Sequence, residues 1–381
     1  MNARIMTVYG TRPEAIKVAP IIKAVEADPD LTGLTVVTGQ HREMLDQVND
    51  LFDITPDYDL DVMAHGQALS GLFARILTGL DPILADEKPD VVIVQGDTTT
   101  STAAALAAFY RGIRVVHAEA GLRSGDLMSP FPEEANRKVT TQIASLHLAP
   151  TSVSMGNLLH DGVNPADVVI TGNTVIDALH WTVRRPAPFS DPALEAVVSS
   201  GRRIILATTH RRENWGEAMV GVGRAIARIA EANPDVTVVL PIHKNPVVRD
   251  AVVPQIDGLD NVLVTEPLAY VEFARMMAAS HLVLTDSGGV QEEAPSLGKP
   301  VLVMRDNTER PEAVYAGTVR LVGTDEQVIV DEVSELLHDE LAYRRMANAV
   351  NPYGDGHAAT RTVAAIRHML GLTAVVEEFA A

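Results

Sequence analysis

The sequence predicts an α/β protein made of two doubly wound, Rossmann-like domains. Three observations lead there. Apolar, β-branched runs alternate with helical stretches along the 381-residue chain. The alternation restarts after a weakly periodic region from about Trp181 to Gly201. Distinctive strand–turn–helix junctions occur at residues 10–17, 95–99 and 286–293, the last in the second domain. Such junctions hold ligands in α/β proteins, because unpaired N–H groups and the helix dipole favour anions there. One junction set per domain predicts a ligand gripped between the domains, with phosphate at one or more junctions.

The strands of the first sheet are expected at 5–9, 34–38, 91–95, 113–117, 146–149 and 168–171. Near-continuous Val/Ile runs fit strands covered on both faces, hence a parallel sheet. Helical stretches such as 13–27 and 101–110 lie between them. Residues 139–160 carry no Asp, Glu, Lys or Arg, yet their Thr, Gln, Ser, Asn, His and Pro would leave polar groups unpaired in lipid. They are expected to form helix, short strand, turn and helix in a soluble domain. The linker is expected at Arg184-Arg185-Pro186-Ala187-Pro188, where two prolines in three residues favour extended backbone. A second set of strands is expected at 203–209, 236–240, 262–265, 281–285, 301–304 and 319–322. Asn351-Pro352-Tyr353-Gly354-Asp355-Gly356 forms a turn cluster before a last helix at 358–370. The pattern leaves open which domain that helix joins.

The length suits two cores. The absence of cysteine excludes disulfides, thiolate metal sites and a thiol nucleophile, which suits the cytoplasm. Met1-Asn2-Ala3-Arg4-Ile5 lacks the shape of a signal peptide. A net charge of −19 argues against nucleic acid as a partner. Against that acidic background, Arg12, Lys17, Arg123, His210, Arg211, Arg212, His243, Lys244 and Arg310 sit near loop ends. Local cationic loops on an acidic surface fit a small anionic ligand.

Within the first junction, Gly10 permits a sharp turn or close approach, Pro13 suits the first helical turn, and Arg12 and Lys17 are placed to meet phosphate. Within the third, Gly288 and Gly289 expose successive N–H groups, and Glu293 lies about a turn and a half further on, within reach of a ribose hydroxyl. Two patterns are decoys. Gly221-Val222-Gly223-Arg224 mimics a dinucleotide fingerprint but follows no strand. Asp57-Tyr58-Asp59-Leu60-Asp61 mimics a metal-binding triplet but reads as a loop of solvated charge. Asp97, Glu119 and His210 all fall at carboxyl ends of expected parallel strands, and Glu133 lies in Pro132-Glu133-Glu134. Carboxylates and a histidine together suit proton transfer.

Taken together, these motifs resemble the non-hydrolysing UDP-N-acetylglucosamine 2-epimerases. The resemblance runs from Gly10-Thr11-Arg12-Pro13-Glu14 through Gln40-His41-Arg42-Glu43, Gly96-Asp97-Thr98, His117-Ala118-Glu119-Ala120-Gly121, Pro132-Glu133-Glu134-Ala135-Asn136-Arg137, Thr171-Gly172-Asn173-Thr174, His210-Arg211-Arg212-Glu213, Asp286-Ser287-Gly288-Gly289 and Thr308-Glu309-Arg310-Pro311 to the 351–356 turn. It implies a GT-B-like fold whose two domains face a cleft. The first, 1–175 plus 358–381, would carry acid/base carboxylates; the second, 195–357, would bind UDP. It implies reversible conversion of UDP-N-acetylglucosamine to UDP-N-acetylmannosamine, without cofactor or metal, by anti elimination of UDP to a 2-acetamidoglucal and re-addition.

By this resemblance Asp97, Glu119, Glu133 and His210 are catalytic, with His210 near the leaving diphosphate. Arg12 and Lys17 would lie near the nucleotide or diphosphate, Ser287, Gly288 and Gly289 around phosphate, and Arg310 on the diphosphate side. Glu293 would bind the ribose and Phe273 would lie by the uracil. Leu268 stands where some members have Gln, so a side-chain contact to uracil is not expected there, while main-chain contacts could survive. Gln40, His41 and Arg211 match a second UDP-N-acetylglucosamine site that activates some relatives. A cytoplasmic homodimer, with no nucleic-acid or membrane partner, is implied. The rivals are a hydrolysing epimerase, a glycosyltransferase using a UDP-sugar, and a sensor that binds without turnover.

Overall fold

The computed structural model of the protein describes residues 2–39, 42–62, 66–185, 187–372 and 375–380. Among them the chain forms two parallel sheets. The first contains β1 (Ala3–Tyr9), β2 (Leu31–Val37), β3 (Tyr58–Asp59), β4 (Val91–Gln95), β5 (Arg114–Ala118), β6 (Leu146–Ala149) and β7 (Val168–Ile170). Its order is β3-β2-β1-β4-β5-β6-β7. The second contains β8 (Arg203–Thr208), β9 (Val236–Pro241), β10 (Val262–Thr265), β11 (Leu282–Thr285), β12 (Val301–Val303) and β13 (Val319–Leu321), in the order β10-β9-β8-β11-β12-β13. In each sheet the order reverses beside the first strand, between β1 and β4 and between β8 and β11.

The central strands of both sheets are buried on two faces, as the unbroken apolar runs predict. Along β1 and β4, Met6, Val8, Val92 and Val94 enter one core with helices Leu69–Glu87 and Thr99–Tyr110. Their neighbours Ile5, Val91 and Ile93 enter another, with helices Arg12–Glu26 and Ala358–Met369. The period of two along a strand thus feeds two separate cores. In the second sheet Ile205, Ala207, Val238 and Leu240 pack with helices Glu217–Ala232 and Glu326–His338. Ile204, Leu206 and Val239, facing the other way, are buried too.

The chain divides into two compact units, residues 1–178 with 353–381 and residues 179–352. The division falls inside helix Thr174–Arg184, and the segment expected as linker at 184–188 lies in the second unit's share. Helix Ala358–Met369 packs in the first unit. The Asp177 carboxylate accepts from the Ala358 and Ala359 N–H groups at 3.2 and 2.9 Å, and Arg367 Nη1 reaches Asp28 at 2.7 Å near the helix's far end. Residues 139–160 form helix Glu133–Ile143, β6 and helix Ser152–His160 in turn. No helix among the described residues is long and apolar enough to cross a membrane.

One expectation needs correction. The acidic stretch 57–61 is not simply a loop: Tyr58 and Asp59 pair with Val36 and Val37 as an edge strand. Asp57 Oδ2 accepts from the Thr35 N–H and hydroxyl at 2.7 and 3.0 Å. A two-residue strand is too short to show periodicity, so the charges around it dominate its sequence signal.

Candidate functional site

In the first unit the candidate residues gather where the sheet reverses. Gly10 follows β1, and Gly96 and Asp97 follow β4, its neighbour across the reversal. Gly10 is required by packing: an added Cβ would come within 2.0 Å of Thr38 Oγ1 and 2.6 Å of Thr100 Oγ1. The close approach allowed by Gly10 is thus to the protein's own threonines.

The helix that follows carries a capping box, with Thr11 at its N-cap and Glu14 three residues on. The Glu14 carboxylate is buried and accepts from the Gly10 and Thr11 N–H groups at 3.0 and 2.8 Å. Its other oxygen accepts from Thr98 Oγ1 at 2.6 Å, joining this junction to the next. Burial pushes the Glu14 carboxyl above its usual range despite these bonds. The Gly10 and Thr11 N–H groups are therefore occupied by a side chain. Arg12, at the helix start, is exposed.

Glu119 is the most constrained of the candidates. Its φ of 59° puts a non-glycine residue in the left-handed region just after β5. Its carboxylate is only 8% exposed and pairs with Lys17. Gln95 Nε2 donates to it at 2.8 Å and Asn173 Nδ2 at 3.0 Å. Backbone strain kept in place by so many partners marks functional positions.

Asp97 is held by helix Glu133–Ile143: Arg137 Nη2 donates to its carboxylate at 2.5 Å and Asn136 Nδ2 to its carbonyl at 2.8 Å. Glu133 opens that helix, one turn before Asn136 and Arg137, on the same face. Its Oε2 is buried with no hydrogen-bond partner among the described residues. Beneath the junction, His117 Nε2 donates to the Gly96 carbonyl at 2.7 Å. Burial pushes the His117 imidazole down to about 4, so it is neutral and carries its proton on Nε2.

The second unit repeats the placement with different chemistry. His210 lies beyond β8 and Asp286 beyond β11, again the two strands at the reversal. His210 Nδ1 lies 3.0 Å from Asp286 Oδ1, and the His210 and His243 rings stack with centroids 5.9 Å apart. Helix Gly288–Ser296 starts here, and Ser287 at its N-cap makes no side-chain cap bond among the described residues. A Cβ on Gly288 would come within 2.9 Å of Arg310 Nη1, so the guanidinium lies over the helix's first turn. Arg310 Nε donates to Glu292 at 2.7 Å. A helix N-terminus beside a guanidinium suits a phosphate group.

Glu293 is buried further along the helix, and the Tyr270 hydroxyl donates to it at 3.4 Å. Phe273, on helix Tyr270–Ala279, is half-buried. Arg211 donates through its N–H to Asp286 at 2.9 Å. Gln40 and His41, named with Arg211 for a second ligand, lie outside the described residues.

Residue-by-residue reading of the sequence missed Glu14, Gln95, Arg137, Asn173 and Asp286. The Thr-x-x-Glu spacing announces the cap formed by Glu14. The others have partners 24 to 76 residues away, which no local pattern announces.

The family model described as UDP-N-acetylglucosamine 2-epimerase matches residues 23–367. UDP-N-acetylglucosamine 2-epimerase of Escherichia coli (strain K12) is 53% identical over 371 residues, which are 96% of this chain and 98% of that protein. A crystal structure of UDP-N-acetylglucosamine 2-epimerase matches with TM-score 0.93 and 47% identity over the whole of both chains. That of UDP-GlcNAc 2-epimerase from Neisseria meningitidis bound to UDP-GlcNAc matches with TM-score 0.82 and 45% identity, over 97% of this chain and all of that one. Paired Rossmann-like units of the GT-B-like kind, motifs placed at both sheet reversals, and these matches lead to one conclusion: the chain belongs to the UDP-N-acetylglucosamine 2-epimerase family.

Proposed function

We propose that this protein interconverts UDP-N-acetylglucosamine and UDP-N-acetylmannosamine by anti elimination and re-addition of UDP, without releasing free sugar. The observation that carries the reading is the carboxylate group of the first unit. Glu119 is held by Lys17, Gln95 and Asn173, Asp97 by Arg137, and Glu133 has a buried oxygen with no partner among the described residues. A protein that only held a UDP-sugar would gain nothing from carboxylates near a diphosphate.

The chemistry assigns the parts. A carboxylate takes the C2 proton, and the C2–H electron pair becomes the C1=C2 double bond. The C1–O bond breaks and its electron pair leaves on UDP. Re-addition reverses these events, with a proton delivered to the opposite face of C2, so acid/base groups must serve both faces. The C2 proton is weakly acidic, so its removal depends on stabilising charge on the leaving diphosphate. Helix Gly288–Ser296, Arg310 and His210 of the second unit suit that task, with Ser287, Gly288 and Gly289 around phosphate, Glu293 at the ribose and Phe273 by the uracil. Lys17 and Arg12 are assigned to the sugar-diphosphate end. The reading asks that one substrate molecule be served by both sets of residues.

The test is turnover of UDP-N-acetylglucosamine in deuterium oxide, followed by proton NMR. Deuterium at C2 of both UDP-sugars is expected. Free N-acetylmannosamine with UDP as the end product would instead assign a hydrolysing enzyme. Retention of hydrogen at C2 in the product would sink the proposed chemistry.

A further inference from the structure

Asp286 is placed to decide which nitrogen of His210 meets the ligand. It follows β11 and is fully buried, beside the segment that leaves β8. Its Oδ2 accepts from Thr209 Oγ1 at 3.0 Å, from the His210 N–H at 2.8 Å and from the Arg211 N–H at 2.9 Å. Its buried Oδ1 lies 3.0 Å from His210 Nδ1, an ion-pair distance, and has no aligned hydrogen-bond partner among the described residues. The Thr209 hydroxyl and the two main-chain N–H groups are all donors. Burial alone would raise the carboxyl, but donors from His210 and Arg211 hold it below the usual carboxylate range. An ionised carboxylate can only accept, so the nitrogen facing it carries a proton.

We propose that Asp286 is a positioning residue: it fixes His210 with its proton on Nδ1 and leaves Nε2 as the ring nitrogen offered to the substrate's diphosphate. The inference rests on the function proposed above and deepens it. His210 is 40% exposed at its side chain, so the ring is anchored at one nitrogen and accessible elsewhere. His243, stacked against it, is engaged differently: its Nδ1 accepts from the Asn245 N–H at 3.1 Å. In the doubly protonated ring Nε2–H donates a hydrogen bond to the departing diphosphate oxygen, and Asp286 supplies the counter-charge on the far side. No bond to nitrogen forms, and the electron pair of the broken C1–O bond stays on UDP.

The test reads the ring directly. Long-range proton–nitrogen NMR of the 15N-histidine-labelled protein, with His210→Gln to assign the signal, reports the tautomer of the neutral ring without substrate. The expected form is Nδ1–H, and a wild-type ring found as Nε2–H overturns the proposal, with no variant needed. Asp286→Asn is expected to populate Nε2–H and to lower kcat on the order of 100-fold, with UDP affinity within about threefold. Unchanged tautomer and kcat in that variant would also overturn it. Thr209→Val removes a different donor to Asp286 and reads the merely structural role: a lower Tm with tautomer and kcat unchanged is expected, and the same tautomer shift there would count against the assignment. An Nδ1–H ring in a wild-type protein inert towards UDP-N-acetylglucosamine would retire the proposed function and leave the positioning role standing.

Discussion

The helix start after β1 and the helix start after β11 look alike in sequence and differ in what they can hold. Each follows a buried strand, contains glycine and sits at a sheet reversal. After β1 the protein supplies its own anion, because the Glu14 carboxylate takes the Gly10 and Thr11 N–H groups. After β11 the Ser287 side chain makes no cap bond among the described residues, although the Ser287 N–H donates to Thr285 Oγ1 at 2.9 Å, and Arg310 adds a positive charge over the helix's first turn. A helix N-terminus is an anion site only while its donors remain available. In the function proposed above, the second unit's helix start takes phosphate, while the first unit supplies the carboxylates for proton transfer, with Arg12 and Lys17 at the sugar-diphosphate end.

The largest effect that would break this division is on turnover. Asp97→Asn is expected to cost about 100- to 10,000-fold in kcat, while calorimetry finds UDP binding nearly intact. Matching losses of UDP affinity and turnover would show that the two units do not divide the work. Next is Arg310→Met, expected to weaken UDP binding by about 10- to 100-fold through loss of a charge-assisted contact. Unchanged UDP affinity would remove phosphate from the second junction.

Acid separates the junctions too. His117 is neutral in the fold, with its value lowered from 6.5 to about 4. The unfolded chain therefore binds a proton the folded one refuses, and stability falls as pH drops from about 6.5 towards 4, by up to about 1.4 kcal/mol per pH unit for this group. Glu14, with its carboxyl raised, works in the opposite sense, being relieved as acid protonates it. His117→Asn isolates the first contribution: urea denaturation should show a shallower loss across that range. An unaltered slope would mean that His117 is protonated in the fold. Asp286, with its carboxyl lowered, contributes stability that is lost only as pH falls through the carboxylate range.

The smallest effect concerns the internal anion itself. Glu14→Gln keeps the shape but turns one acceptor oxygen into a donor, facing either the N–H groups or the Thr98 hydroxyl. A cost of about 1–3 kcal/mol in unfolding free energy is expected, with UDP affinity unchanged. Tighter UDP binding in this variant would mean that Glu14 competes with phosphate, and the contrast between the junctions would need redrawing.

Much of this was legible in advance. The runs at 91–95, 146–149 and 262–265 match β4, β6 and β10 end for end, because each mainly apolar run is bounded on both sides by polar, Gly or Pro residues. β3 was not legible, since two residues carry no period. The candidate positions Asp97, Glu119 and His210 were readable as strand ends. Their partners were not: Lys17 pairs with Glu119 across 102 residues, and Asp286 meets His210 across 76. The carboxylate that fills the turn at Gly10 was not read in advance. The capping box was present in the sequence, yet whether Glu14 turns back to the N–H groups or outward depends on Thr98 waiting on the next strand's turn.

By itself the sequence determined that parallel strands alternate with helices, that the pattern occurs twice, and which residues end each strand, because burial and backbone preference act over neighbouring residues. The tertiary structure decided the order of strands, and with it the reversal that sets β1 beside β4 and β8 beside β11. That order joins residues far apart along the chain, and only there does it become settled whether a helix start is filled by a carboxylate or kept for a ligand.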